Sequence, residues 1–255
     1  MAKRKSKDVV RDQPALLAEL EEKRGLLIVF EGPDGSGKTT QRKLLKTWLK
    51  GEGHDVVTTK WNSSELFKPL IKARKQIRSL NATEFSLLHA CDFRHRLETE
   101  VLPALCAGKT VIADRYFFTA LARDITRGMD LAWVLNLYGP ILWPDVVFYF
   151  AVSAETSGKR IAAERTPSYY ESGQDLTEIA DAHASYQAFI GQVLGQYAGL
   201  ATIFNFVIVD AEKSIYEQHQ TIRGLFHESA RKSWAEYNVE AVADWLNSRP
   251  EMRIA

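Results

Sequence analysis

Cysteine is scarce in this 255-residue chain: Cys91 and Cys106 allow one bridge at most, which excludes a disulfide-stapled scaffold and makes reduced thiols the expectation. An excess of either charge is also missing. Against 33 Lys and Arg stand 32 Asp and Glu, and a formal net charge of +1 argues against a dedicated nucleic-acid binder. No run of about 18 apolar residues occurs, so no membrane-spanning helix is expected. The opening "MAKRKSKDVVRDQP" lacks the apolar stretch of a secretory signal, and the expected location is the cytoplasm. Internal repeats and low-complexity segments are absent as well. What remains, with 45% hydrophobic and 25% charged residues, is the mix of a globular protein able to bury one sizeable core.

Elements alternate along the chain. "GLLIVFEG" reads as a buried parallel strand ending at a glycine, and "KTTQRKLLKTWLKGEG" as a helix with Leu44, Leu45, Trp48 and Leu49 on one face. "HDVVTTKW" is a second strand, and "TEFSLLHACDFRHRLETEVLPALCAGK" a long helix with apolar positions 85, 88, 101, 102 and 105. "TVIADRY" is a third strand, "DLAWVLNLYGPIL" a helix, "PDVVFYFAVS" a fourth strand, "AETSGKRIAAER" a helix and "FNFVIVDA" a fifth strand. This order predicts an α/β fold with a five-stranded parallel sheet wrapped by helices, ligands lying outside the carboxyl ends of the strands. A basic tail with a short helix at "PALLAELEEKR" occupies residues 1–24, the main domain 25–228, and a helical extension containing Trp234 and Trp245 residues 229–255.

Chemistry concentrates between the first strand and the first helix. Gly32, Gly37, Lys38 and Thr39 satisfy G-x-x-x-x-G-K-[ST] in the strand–loop–helix setting that this motif requires. Gly32, Gly35 and Gly37 let the backbone curl so that N–H groups, including those around Ser36 and Thr40, point at phosphate oxygens. The helix N-terminus adds its partial positive charge. Lys38 can reach the β- and γ-phosphates of ATP, and the Thr39 hydroxyl can hold Mg2+. Asp114, ending the third strand, is a second candidate for magnesium. Its neighbour Arg115 is placed to grip an anion that does not belong to the donor, which points to a second phosphorylated ligand.

The order of "FEGPDGSGKTTQ", "LLHACDFRHRLETEVLPALCAGK", "TVIADRYFFTALA", "WPDVVFYFAVSAETSGKRIAAER", "YYESGQD" and "VIVDA" resembles the thymidylate kinases, P-loop nucleoside monophosphate kinases, from about Gly25 to Phe226. The resemblance implies Mg2+-dependent phosphoryl transfer from ATP to a nucleoside 5′-monophosphate, dTMP first, in a homodimer with a lid segment. It gives Asp34 the acceptor sugar as well as a place in the donor loop, and it gives Arg115 and Lys60 the acceptor phosphate. Arg160 falls in the segment over the adenine. Arg165, opening "RTPSYYESGQD", becomes the mobile cation of the lid that joins Lys38, Arg115 and Asp114 in catalysis.

Around the acceptor, the resemblance places Thr119, Arg123 and Tyr170. At the base, His89 and Phe93 stand where the family has a stacking phenylalanine and an arginine. Phe93 then stacks in exchange, or Arg94 or Arg96 supplies the edge contact. His89, Asp92 and Arg96 share one helix face and either line the acceptor pocket or form an ion pair on a solvated surface. Two further readings of the same residues are a P-loop kinase acting on another nucleotide, a nucleoside, a polynucleotide end or a small metabolite, and a nucleotide-binding regulator without transfer.

Overall fold

The computed structural model describes residues 25–139 and 141–229. The expected terminal segments before Gly25 and beyond Ser229 lie outside the described residues. Five strands, β1 (Leu27–Glu31), β2 (Val56–Lys60), β3 (Thr110–Asp114), β4 (Val146–Ala151) and β5 (Val207–Asp210), form one all-parallel sheet in the order β2-β3-β1-β4-β5. Because successive side chains point to opposite faces, Leu27 and Val29 enter one core while Ile28 and Phe30 enter the other. All four are fully buried, as a strand covered on both faces requires.

The helices are α1 (Lys38–Gly51), α2 (Lys68–Gln76), α3 (Ala82–Arg96), α4 (Leu102–Cys106), α5 (Phe117–Thr126), α6 (Leu131–Tyr138), α7 (Ala154–Glu164), α8 (Tyr169–Ser172), α9 (Ala182–Ile203) and α10 (Ile215–Ser229). On one side of the sheet α1 and α10 pack through Leu45, Leu49, Ile222 and Phe226, and on the other α3, α5, α6 and α9 enclose the larger core. Leu44, expected on the inner face of α1, is instead exposed. Each i to i+4 step along a helix turns about 40°, so the stripe through Leu45 and Leu49 leaves it outside.

The long helix expected over 83–109 is interrupted. Residues Leu97–Val101 form a π turn between α3 and α4, and Pro103 gives the physical reason: it has no N–H to offer the carbonyl four residues earlier, and its ring crowds that carbonyl. Asn81 caps α3 by accepting from the Glu84 N–H at 2.8 Å, while Glu84 reaches back to the Asn81 N–H at 3.1 Å. Helices α2, α5, α9 and α10 were not anticipated from sequence. Among the described residues no helix is long and apolar enough to cross a membrane.

Candidate active site

The register of the sheet brings the strand ends together: Asp114 is level with Phe30 on β1 and Lys60 on β2. The phosphate-cradle loop leaves β1 beside them. Gly32, Gly35 and Gly37 have φ of +136°, +71° and +85°, in the left-handed region that favours glycine. A Cβ on Gly32 would come within 2.9 Å of the Phe150 carbonyl oxygen, and one on Gly35 within 2.9 Å of that of Ser157. Bare backbone is therefore what lets the loop close against β4 and α7. Helix α1 starts at Lys38 without a side-chain cap, leaving its N-terminal donors for an anion.

Lys38 is buried and its ammonium donates to the Pro33 carbonyl and, at 3.1 Å, to Ser36 Oγ. Burial, reinforced by the charge of Arg115, pulls its pKa down to about 7. Arg160 pins the loop from α7, donating to Gly35 O at 3.1 Å and to Ala211 O at 3.0 Å. A cleft of about 470 Å3 opens here, lined by Gly35, Gly37, Lys38, Thr39, Thr40 and Arg160 together with Lys213, Ser214, Ile215 and Gln218. Those last four were not anticipated. Their signal was present in "VIVDAEKS", a turn after a strand at the carboxyl end of the sheet, where ligands of such folds bind.

Across the loop lies a second cavity of about 260 Å3. Asp34 stands between the two spaces, accepting from Arg115 Nη2 at 2.7 Å through Oδ1 and from Arg123 Nη2 at 2.8 Å through Oδ2. Burial opposes its charge, but the two guanidiniums outweigh it and hold the carboxyl well below the usual range. Arg115 has φ of +71°, strained for a residue with a side chain. Its backbone N–H donates to Phe30 O at 2.9 Å. Its Nη1, although buried, has no hydrogen-bond partner.

Glu31 secures the start of α5 beneath Arg115. Fully buried, it accepts from the Tyr116 N–H at 2.7 Å, the Thr119 hydroxyl at 2.7 Å and the Tyr197 hydroxyl at 2.8 Å, and burial raises its pKa. Thr119 lines the cavity, with its hydroxyl committed to Glu31. Asp114 is buried and its carboxylate lies 3.7 Å from Arg42 Nε, while Thr39 is exposed one turn away at the head of α1. Among the described residues no group of three or more His, Cys, Asp or Glu forms a metal cluster.

The cavity wall farther from the cradle comes from the segment after β2 and from α2, α3 and α5. His89 lines it, as do Asp124 and also Trp61, Asn62, Lys75 and Phe85, the last four not anticipated, while Lys60 lines the cavity from the end of β2, level with Asp114. His89 Nδ1 lies 2.6 Å from Phe85 O, and a carbonyl only accepts, so Nδ1 carries the proton and Nε2 accepts from Lys75 at 3.0 Å and Asn62 at 3.2 Å. Burial, and then Lys75, depress the His89 pKa well below its ordinary value, so the ring is neutral.

Phe93 and Arg94 do not line the cavity. Phe93 packs in the core against Trp61, Tyr116 and Tyr138, and Arg94 donates to Tyr138 O at 2.6 Å. By position 93 the helix has turned about 80° from Phe85. Asp92 and Arg96 form neither a pocket wall nor a solvated pair. Both are buried 2.8 Å apart, and Asp92 also accepts from the N–H groups of Asn62 at 3.1 Å and Ser64 at 2.9 Å, fixing the segment that carries Lys60 and Trp61.

Arg165, Tyr170 and Glu171 close the cavity from the lid side. Arg165 makes a two-pronged pair with Glu171 at 2.7 and 2.6 Å, while the Tyr170 hydroxyl is held by Leu80, accepting from its N–H at 2.7 Å. Arg127, a buried residue not anticipated from sequence, ties this segment to α5 by donating to Tyr170 O at 2.8 Å and Asp175 Oδ2 at 2.7 Å.

Similarity to known proteins agrees with this arrangement. The thymidylate kinase family model matches residues 30–222. A "Probable thymidylate kinase 2" of Saccharolobus solfataricus is 39% identical over 209 residues, covering 80% of this chain and 97% of its own length. A "Probable thymidylate kinase" of Thermococcus gammatolerans is 32% identical, covering 79% and 95%, and a "Thymidylate kinase" of Clavibacter michiganensis 34% identical, covering 78% and 93%. With a match over most of its length and a phosphate cradle set between two clefts, the chain belongs to the thymidylate kinase family.

Proposed function

We propose that the protein transfers the γ-phosphoryl group of ATP to the 5′-phosphate of dTMP, giving dTDP and ADP. An oxygen of the acceptor phosphate attacks the γ-phosphorus as its bond to the β–γ bridging oxygen breaks. No proton-abstracting base is needed, because the nucleophile is already an anion. The cleft around Lys38 and Arg160 takes the donor, and the cavity beyond Asp34 takes the acceptor, with Lys60 at its phosphate side and Tyr170 in its wall. The observation that carries this reading is the buried, unpartnered Nη1 of Arg115 beside that cavity, a cationic donor awaiting an anion.

Asp34 then exchanges an arginine for the acceptor's sugar hydroxyl. Arg165 leaves Glu171 for the transferring group, neutralising charge on the equatorial oxygens. Thr39 and Asp114 offer one hydroxyl and one carboxylate, a hard-oxygen set suited to Mg2+, which takes few protein ligands and completes its shell with phosphate and water. Held by these two residues, that ion would supply positive charge to offset the charge on the donor phosphates.

A cytoplasmic homodimer without a nucleic-acid partner belongs to the same reading, and the exposed Leu66, Leu70 and Leu87 offer apolar surface for self-association. ADP release measured over a panel of nucleoside monophosphates, nucleosides and 5′-hydroxyl oligonucleotides tests the activity. Turnover highest with dTMP is expected. Folded protein that binds ATP yet releases no ADP with any monophosphate would overturn it.

A further inference from the structure

The wall of the acceptor cavity holds polar groups whose hydrogen-bonding capacity the protein itself does not use. Thr119, Ala120, Arg123 and Asp124 all line it from α5, a spacing that keeps them on one helical face. Arg123 is spent on Asp34. Asp124 is only partly spent: it is 1% exposed with the Ser86 hydroxyl beside it, and its Oδ2 has no hydrogen-bond partner. A buried acceptor left open is costly unless a ligand completes it.

Opposite in kind is a surplus of donors at His89. Its one available lone pair, on Nε2, faces both Lys75 at 3.0 Å and Asn62 at 3.2 Å, and it can satisfy one of them well. Lys75 carries three N–H groups, so donors remain on the same wall as the open acceptor. The Asp124 carboxylate lies within the fields of Arg127, Arg123 and Lys75. Rings of Trp61, Phe85 and His89 flank this end, and Arg115, which the phosphate needs, stands before the first turn of α5. From Arg115 to Asp124 the chain advances about 13 Å at helical rise, so the two mark opposite ends of the space.

We infer that Asp124 and Lys75 read the pairing edge of the acceptor base, the Asp124 carboxylate accepting from N3–H of thymine and Lys75 donating to a flanking carbonyl oxygen. This rests on the assignment of the cavity to the acceptor. Burial pushes Asp124 up to about 6 and pulls Lys75 down to about 7, so between those values the carboxylate is mainly ionised and can only accept while Lys75 is mainly an ammonium and can only donate. Cytosine inverts the pattern, since its N3 offers a lone pair to the carboxylate and its N4 amino group meets the ammonium. Uracil keeps thymine's edge. The residues therefore reject cytosine by unpaired and opposed polar groups, and they do not sense the thymine methyl. Asn62 is a poorer discriminator, because an amide can present either a donor or an acceptor.

The experiment is steady-state kcat/KM for dTMP, dUMP and dCMP with the wild-type protein, Asp124→Asn and Lys75→Met, alongside KM for ATP and a thermal melt. Each variant is expected to lose about 10- to 100-fold in kcat/KM for dTMP, the range for a hydrogen bond to a charged group. The dTMP/dCMP ratio should narrow by about tenfold or more in Asp124→Asn, with the dTMP/dUMP ratio and the KM for ATP held within about twofold. A dTMP/dCMP ratio unchanged in folded Asp124→Asn and Lys75→Met overturns the inference while leaving the acceptor assignment intact. If Asp124→Asn does not fold, Lys75→Met decides. Wild-type protein that turns over none of the three overturns the acceptor assignment and the inference with it.

Discussion

Lys38 makes ATP binding sensitive to pH in a way that can be worked through. In the unliganded loop its pKa stands at about 7, chiefly through burial. A triphosphate beside the ammonium restores the charged form, carrying the pKa back to or beyond its ordinary 10.5. ATP binding at pH 8 should therefore take up about 0.9 proton, and at pH 6 only about 0.1, from the fraction of Lys38 that is neutral beforehand. The sign follows: protons bound on complex formation make affinity fall as pH rises, and integration gives roughly a 100-fold weaker Kd at pH 9 than at pH 6. Calorimetry at pH 8 in buffers of differing ionisation enthalpy counts the protons directly, and free ATP is already fully ionised there. Lys38→Arg keeps a charge that does not titrate, and its uptake should vanish. An uptake below about 0.2 proton at pH 8 in the wild-type protein, or one that persists in Lys38→Arg, would refute the reasoning.

Three other perturbations probe separate parts of the site. Asp34→Ala leaves Arg115 and Arg123 without their shared carboxylate; KM for dTMP should rise by about tenfold or more while KM for ATP moves less, and equal losses in both would return the residue to a role in the loop alone. Asp92→Asn strips the charge from a buried pair and weakens the anchoring of the segment after β2, so urea unfolding should show a loss of about 3–5 kcal/mol, and a loss under about 1 kcal/mol would contradict that anchoring role. Arg165→Met removes the cation proposed to leave Glu171 for the transferring group; kcat should drop by about 10- to 1000-fold with KM values little changed, whereas a change confined to KM would assign it to ground-state binding.

The central strands β1, β3 and β4 were legible because they are largely apolar runs that end at a glycine, a charged turn or a loop, with both faces buried. Helix α5 was hidden by the same property. Residues 117–124 are all buried, so its polar face of Thr119, Arg123 and Asp124 turns into the cavity instead of solvent, and Tyr116 gives it no side-chain cap. Helix α9 carried a readable signal, Asp181 accepting from the Ala184 N–H at 2.8 Å ahead of Tyr186, Phe189, Ile190, Val193 and Tyr197 at helical spacing. Gly191, Gly195 and Gly199 dilute that pattern. Of the residues lining the clefts, Lys38 and Arg115 stand where a motif and a strand end point to them. Lys75 and Phe85 do not, because they come to one cavity only through three helices meeting around it, a long-range arrangement with no local pattern.

Asp34 gives the unliganded protein an occupant of its own. By bridging Arg115 and Arg123 it plays the part of the incoming anion, so the two guanidiniums never confront each other bare. On the proposed reading a free phosphate ion could meet the open Nη1 of Arg115, but it would reach the rest of the pair only by displacing this carboxylate, with no hydroxyl to compensate it. A nucleotide brings both, pairing the arginines with one end and recruiting the released carboxylate with the other. On that reading the carboxylate would act as a gatekeeper, favouring an anion that carries a hydroxyl over one that does not.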